Sequence, residues 1–190
     1  MSRIPLPGLL LAAVLALPAA AQDALPRGAV STDVGSASVT IDYGRPDLGD
    51  RMLPDLLNML PADRVWRAGE NQVTILETSG AVKIGGETLP AGRYSLYLHV
   101  PESGGWSLLV NRHQGIALGE LWDQAPEPMR AEPWPMLSGY GQIEDQEQAR
   151  ISLDEAEASG DGNVFEISAG GGMLRFAWGG VAYQTTLASP

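Results

Sequence analysis

The chain has no cysteine, one lysine (Lys83), two histidines and two phenylalanines. Each shortage removes a class of chemistry. Without thiols there are no disulfides, no thiolate metal sites, no cysteine nucleophile and no lipid-bearing cysteine. His99 and His113 are the only imidazoles, and their separation matches no recognisable zinc spacing. No G-x-S-x-G elbow, phosphate-binding G-x-x-x-x-G-K-[ST] loop or calcium-loop spacing occurs. We therefore expect no metal and no cofactor. The glycines of SAGGGM (168–173) read as a turn, and Asp154, Glu155, Glu157 and Asp161 as a solvated hairpin turning at SGDG (159–162).

Long apolar runs are scarce too. The one candidate lies in MSRIPLPGLLLAAVLALPAAAQ, where Arg3 precedes an apolar stretch from Leu9 to Leu17 and the small residues Ala19 to Ala21. That is the layout of a secretory signal peptide, with cleavage expected after Ala21. The stretch is shorter than the roughly 20 residues of a membrane span. We thus expect an exported protein, periplasmic or secreted, with residues 22–34 as an N-terminal linker and 35–190 as one domain. Twelve basic residues stand against 23 acidic, a formal net charge of −11. A surface of that sign repels nucleic acid and anionic membranes, so neither is an expected partner.

What is present is strand pattern. In SVTIDYGRP, Val39, Ile41 and Tyr43 alternate with Thr40 and Asp42 before Gly44 and Pro46 end the run. PDLLNMLP reads as one or two helical turns. Gly85-Gly86 supplies the positive φ angles of a tight hairpin in AVKIGGETLP. RYSLYLHV sets Tyr94, Leu96 and Leu98 against Ser95, Tyr97 and His99, which places His99 toward solvent; His113 falls in a turn after WSLLVN. ARISL, NVFEISAG, MLRFAW and VAYQTTL continue the pattern. About eight or nine short strands with little helix predict an all-β, antiparallel β-sandwich, with a barrel as the alternative. Residues 124–141 carry Pro126, Pro128, Pro133 and Pro135 and read as an ordered surface loop or flap.

One constellation carries chemistry. Arg45, Arg51, Arg64 and Arg67 crowd into a short stretch of an acidic chain, and VWRAGENQVT (65–74) adds Trp66 and Asn71. Arginine presents a planar fork suited to carboxylates, phosphates and sugar hydroxyls, and an indole offers a stacking face. Arg45, Arg51, Trp66, Arg67 and Asn71 are therefore candidate ligand-binding residues. A second reading is equally physical: the arginines tie loop carbonyls and nearby acids together as a structural clasp. Solvent access separates the two.

The motifs VTIDYGRPDLGDRML, LPADRVWRAGENQVT, VKIGGETLPAGRYSLYL and WSLLVN resemble a bacterial exported family, domain of unknown function 2911. Its pattern, Y-x-R-P, G-R, V-W-R-x-G-x-N-E-A-T, G-x-x-L-P-A-G-x-Y-S and W-x-x-x-x-N, is met at Tyr43, Arg45, Pro46, Arg51, Trp66, Arg67, Gly69, Asn71 and Trp106, among other positions. Gln72 departs from it, standing where the family has glutamate. The resemblance implies an exported β-rich domain and supplies no reaction. The leading expectation is a non-enzymatic domain that binds a small molecule or glycan at the arginine cluster. The alternative is an envelope structural or protein-interaction domain with the cluster as clasp. A hydrolase using carboxylates is a third reading, but no acid/base pair stands out and no catalytic residue is assigned.

Overall fold

In ASVTIDY the residues Ala37, Val39, Ile41 and Tyr43 are buried and the intervening ones exposed, so a period of two sets the face of this strand. It pairs in register with residues 28–34, from Gly28 opposite Tyr43 to Val34 opposite Ala37. This corrects the linker reading: residues 28–34 form a strand. GAVSTDV lacks bulky side chains and buries only Val34, so pairing with its neighbour, rather than its own pattern, makes it extended. The structure, a computed structural model, describes residues 27–136, 139–158 and 162–190. The signal-peptide segment, residues 22–26 and most of the SGDG turn lie outside the described residues.

In chain order the strands are β1 (Gly28–Val34), β2 (Ala37–Tyr43), β3 (Val65–Trp66), β4 (Thr74–Thr78), β5 (Val82–Ile84), β6 (Glu87–Leu89), β7 (Gly92–His99) and β8 (Ser107–Asn111). There follow β9 (Ile116–Ala117), β10 (Pro133–Trp134), β11 (Glu147–Ser152), β12 (Asp154–Ala156), β13 (Glu166–Gly170), β14 (Met173–Trp178) and β15 (Val181–Ala188). Two short helices, α1 (Leu53–Asn58) and α2 (Leu118–Leu121), complete the elements used below. The first sheet runs β1-β2-β4-β7-β8-β11, with β3 also on β7; the second runs β13-β14-β15-β5-β6, with β12 on β15. Every pairing is antiparallel, and neither sheet closes on itself. The fold is an all-β sandwich, and the barrel alternative is excluded. The extra strands beyond nine are mostly pieces of two or three residues, too short for alternation to reveal.

The main core lies between the sheets. Ile41, Leu76, Leu96, Leu98 and Leu108 from the first meet Ile84, Leu89, Phe165, Leu174 and Phe176 from around the second. A second, smaller core sits on the outer face of the first sheet, where Tyr97 and Leu109 are covered by Tyr140 and Ile143 with Val65 and Met136 alongside. The outer face is thus not solvent-facing, as alternation alone suggested. His99, expected in water, is half-buried beside Val65 of β3. The covering piece includes the proline-rich stretch, whose β10 pairs with β9.

Polar bonds pin this cover. Buried Asn111 donates through Nδ2 to the Tyr140 hydroxyl at 3.1 Å and the Ile143 carbonyl at 2.8 Å, and its Oδ1 accepts from the His113 N–H at 2.7 Å. The Tyr140 hydroxyl donates to Glu147 at 2.9 Å, and the Tyr140 N–H donates to Asp63 at 2.8 Å. Burial, with a smaller contribution from the charge of Glu147, pushes the Tyr140 pKa well above that of a free tyrosine.

Candidate functional site

The segment that follows α1 enters the first sheet for two residues only. Val65 and Trp66 pair with His99 and Leu98, and the chain then leaves the sheet. Arg64, Ala68 and Asn71 have φ of 55°, 50° and 59°, and no other described residue besides glycine has a positive φ. Left-handed backbone costs a non-glycine residue about 1–2 kcal/mol, least for asparagine. Three such residues in eight mark a loop held by its surroundings. Part of that hold is backbone against backbone: a Cβ on Gly69 would stand 3.1 Å from the Gly44 carbonyl oxygen, and one on Gly44 only 2.1 Å from that of Glu70. The Thr74 hydroxyl closes the loop by donating to the Ala68 carbonyl at 2.7 Å. Farther end, Val73 donates its N–H to the Pro133 carbonyl at 3.0 Å. VWRAGENQVT is therefore anchored at both ends.

The arginines divide. Arg51 donates from Nε to the Leu48 carbonyl at 3.0 Å and from Nη2 to the Asp47 carbonyl at 2.6 Å. Arg64 donates from Nε to the Val100 carbonyl at 2.9 Å and from Nη1 to the Leu57 carbonyl at 2.7 Å. Both are clasps of the kind that satisfies loop carbonyls. Arg45 makes a loose pair with Glu166 at 3.5 Å, on side chains 31% and 65% exposed. Arg67 is different. It is half-buried, and among the described residues it makes no hydrogen bond and no ion pair. Burial lowers its pKa, with the charge of Glu70 and then Tyr97 acting the other way.

Two open clefts meet at Arg67. The first, about 190 Å³, lies between Leu60, Val65, Trp66, Arg67 and Tyr97 below and Pro135, Met136, Tyr140 and Ile143 of the cover above. The second, about 250 Å³, is lined by Pro46, Arg51, Leu56, Leu57, Gly69, Glu70 and Trp178, and shares Leu60, Trp66 and Arg67 with the first. Each alone is smaller than the roughly 300–1,000 Å³ of a drug-sized site, while the pair together falls inside that range. Trp66 is fixed by stacking on Trp178 at 5.0 Å and by an edge contact with Phe165 at 4.7 Å. The Trp178 indole is itself held by donating to the Asn163 carbonyl at 3.0 Å. The Tyr97 hydroxyl is buried and makes no hydrogen bond of sound geometry. Burial raises its pKa, opposed by the nearby Ser95 hydroxyl and by Arg67.

Over residues 25–185 the chain matches the family described as "Protein of unknown function (DUF2911)". It belongs to that family. No match was found among curated proteins or among solved structures. Of the five candidate ligand-binding residues, Arg51, Trp66 and Arg67 converge on the clefts, and the family-motif residues Pro46 and Gly69 line the second. Arg45 and Asn71 are not among the lining residues. Asn71 has a backbone reason for its identity, since asparagine tolerates the left-handed region. The residues that sequence reasoning missed are Leu60, Glu70, Tyr97, Met136, Tyr140 and Trp178. Of these, Glu70 stood in the sequence inside VWRAGENQVT, and Tyr97 as a large aromatic on the face opposite Tyr94, Leu96 and Leu98.

In this family member, Gln72 sits outside the clefts and has its own explanation. Its Oε1 accepts from Arg27 at 3.0 Å, and its Nε2 donates to Glu132 at 2.6 Å. An amide can do both; a glutamate there would set two carboxylates against each other. Arg27 also reaches Asp42 and the Val73 carbonyl, so these bonds tie β2, the loop and the proline-rich cover together. Asp63 is similarly committed, accepting from the N–H groups of Val65 and Tyr140. Among the described residues no group of three or more histidines or acids gathers as a metal site.

Proposed function

We propose that this protein is an exported β-sandwich that binds a small molecule at the Trp66–Arg67 junction of the two clefts and catalyses no reaction. The observation behind this reading is the unanswered guanidinium of Arg67, which lines both clefts. A half-buried guanidinium whose donors face open clefts rather than chain acceptors is placed to exchange cleft water for a ligand's acceptors. The rigid Trp66–Trp178 stack and the apolar walls fit a pre-formed pocket with one polar anchor. The acidic chain disfavours nucleic acid and membrane as partners. Asp63, beside the first cleft, is engaged with backbone N–H groups, which fits a structural carboxylate better than an acid or base.

The clasp reading keeps a specific observation in its favour: Arg51 and Arg64 are both engaged with carbonyls. It accounts for those two and leaves Arg67 unexplained. A thermal-shift and tryptophan-fluorescence screen of organic acids, phosphates, sugars and peptidoglycan fragments tests the proposal. The expected result is a hit that Arg67→Ala abolishes while Arg45→Ala does not. Hits that survive Arg67→Ala unchanged would refute the placement.

A further inference from the structure

We infer that the ligand is a small monocarboxylate with an apolar body, such as a single-ring or short-chain acid. Its carboxylate would meet Arg67, and its body would lie in the first cleft. The inference rests on the reading of these clefts as a binding site and narrows it by counting which polar groups remain available. Arg67 offers several N–H donors in a rigid fork and no acceptor, which matches a planar carboxylate in two parallel bonds. It does so from a half-buried position, with Glu70 close enough to act on its charge but forming no ion pair with it, so an anion is favoured over a neutral hydroxyl.

In the first cleft the polar side chains of Asp63 and Tyr140 are already engaged, while Glu70, which has no hydrogen bond among the described residues, lines only the second. The Tyr140 hydroxyl is bonded to Asn111 and Glu147, and both Asp63 oxygens accept backbone N–H groups. Arg51 faces the neighbouring cleft but donates to two carbonyls, and the Tyr97 hydroxyl is covered. A sugar needs several partners for its hydroxyls, and in the first cleft Arg67 is the one charged side chain that makes no hydrogen bond among the described residues. A dianion, such as phosphate or a dicarboxylate, would find its second cation, Arg51, only in the other cleft, where Glu70 also stands. The remaining wall of the first cleft is apolar: Leu60, Val65, Met136 and Ile143 with the rings of Tyr97 and Tyr140. Its volume of about 190 Å³ suits one ring. For scale, an engineered apolar cavity of about 150 Å³ takes benzene.

Isothermal titration of the full mature protein at neutral pH decides it, with benzoate, phenylacetate and octanoate as probes. Benzamide serves as the uncharged isostere, and succinate, inorganic phosphate and N-acetylglucosamine as the excluded classes. At least one monocarboxylate should bind at least tenfold more tightly than its amide or any excluded class. Arg67→Met should lower that affinity at least tenfold, and Arg67→Lys, which keeps the charge without the fork, should fall between. Circular dichroism establishes that each variant is folded. If phosphate or N-acetylglucosamine binds through Arg67 and no monocarboxylate does, the ligand class is wrong while the cleft stands. If monocarboxylates bind Arg67→Met as well as the parent, the placement in this cleft fails too. Silence from every probe overturns the monocarboxylate assignment, leaving the wider screen to judge the cleft.

Discussion

Arg64 and Arg67 flank the two-residue strand β3 in one short segment, and both are half-buried. Arg64 gives two of its N–H groups to the carbonyls of Leu57 and Val100, joining the end of α1 to the strand end after β7. Arg67 gives none to any described residue. One side chain type in one neighbourhood therefore serves two ends. Where its donors meet loop carbonyls, arginine holds the fold; where they face a cleft, it leaves an interaction unmade. A hydrogen bond within the protein to a charged group contributes about 1.5–3 kcal/mol net, a gain that donors left to cleft water forgo. The left-handed residues at 64, 68 and 71 add backbone cost to the same segment.

The largest effect should come from removing a committed arginine. Arg64→Met removes two bonds to a charged group, leaving the Val100 carbonyl without that donor while Leu57 keeps the Leu60 N–H. At roughly 1.5–3 kcal/mol per bond, it should destabilise the protein by about 3–4 kcal/mol, the lower part of the summed range, in chemical denaturation. A loss under about 1 kcal/mol would erase the distinction between the two arginines. Next comes the cover over the outer face. Tyr140→Phe removes bonds to Asn111 and Glu147 and should cost about 1–3 kcal/mol. Because the folded-state pKa of Tyr140 is raised, the unfolded chain ionises first. The contribution is full below the unfolded value of roughly 10 and is lost as pH climbs from there toward the folded value. The parent should therefore lose stability on alkaline titration, and Tyr140→Phe should show a shallower loss over the same range.

Gln72→Glu places a carboxylate against Glu132 and should cost about 1 kcal/mol near neutral pH, recovering part of it on acidification as one acid takes a proton. Equal stability across pH would show that the amide bridge contributes nothing. Arg45→Ala, which breaks only a long, exposed pair, should change stability by less than about 0.5 kcal/mol and leave ligand affinity unchanged.

The legibility of this molecule follows the range of the forces involved. Alternation marked β2, β7, β14 and β15, a short apolar run marked β8, and Gly85-Gly86 marked the β5–β6 hairpin, because those signals are local. Strand β1 escaped because Val30, Thr32 and Val34 alternate with residues too small and polar to mark a strand, and pairing with β2 sets its conformation. The outer face of β7 was misread as solvent because its cover, Met136, Tyr140 and Ile143, lies far along the chain. The arginine cluster was visible as a composition anomaly, but its division was not. The acceptor that commits Arg64 is Val100, a residue that no spacing rule connects to it. The site was legible as a neighbourhood, while its cleft-lining partners Leu60, Met136 and Trp178 were not.

Arg67→Met, measured for stability without ligand, tests the central claim most directly. Methionine keeps much of the apolar stem and removes the unanswered charge. The expected result is a folded protein whose melting temperature is equal to or above that of the parent, in contrast to the loss in Arg64→Met. A drop comparable to that of Arg64→Met would show that Arg67 is a clasp after all, and would contradict the account.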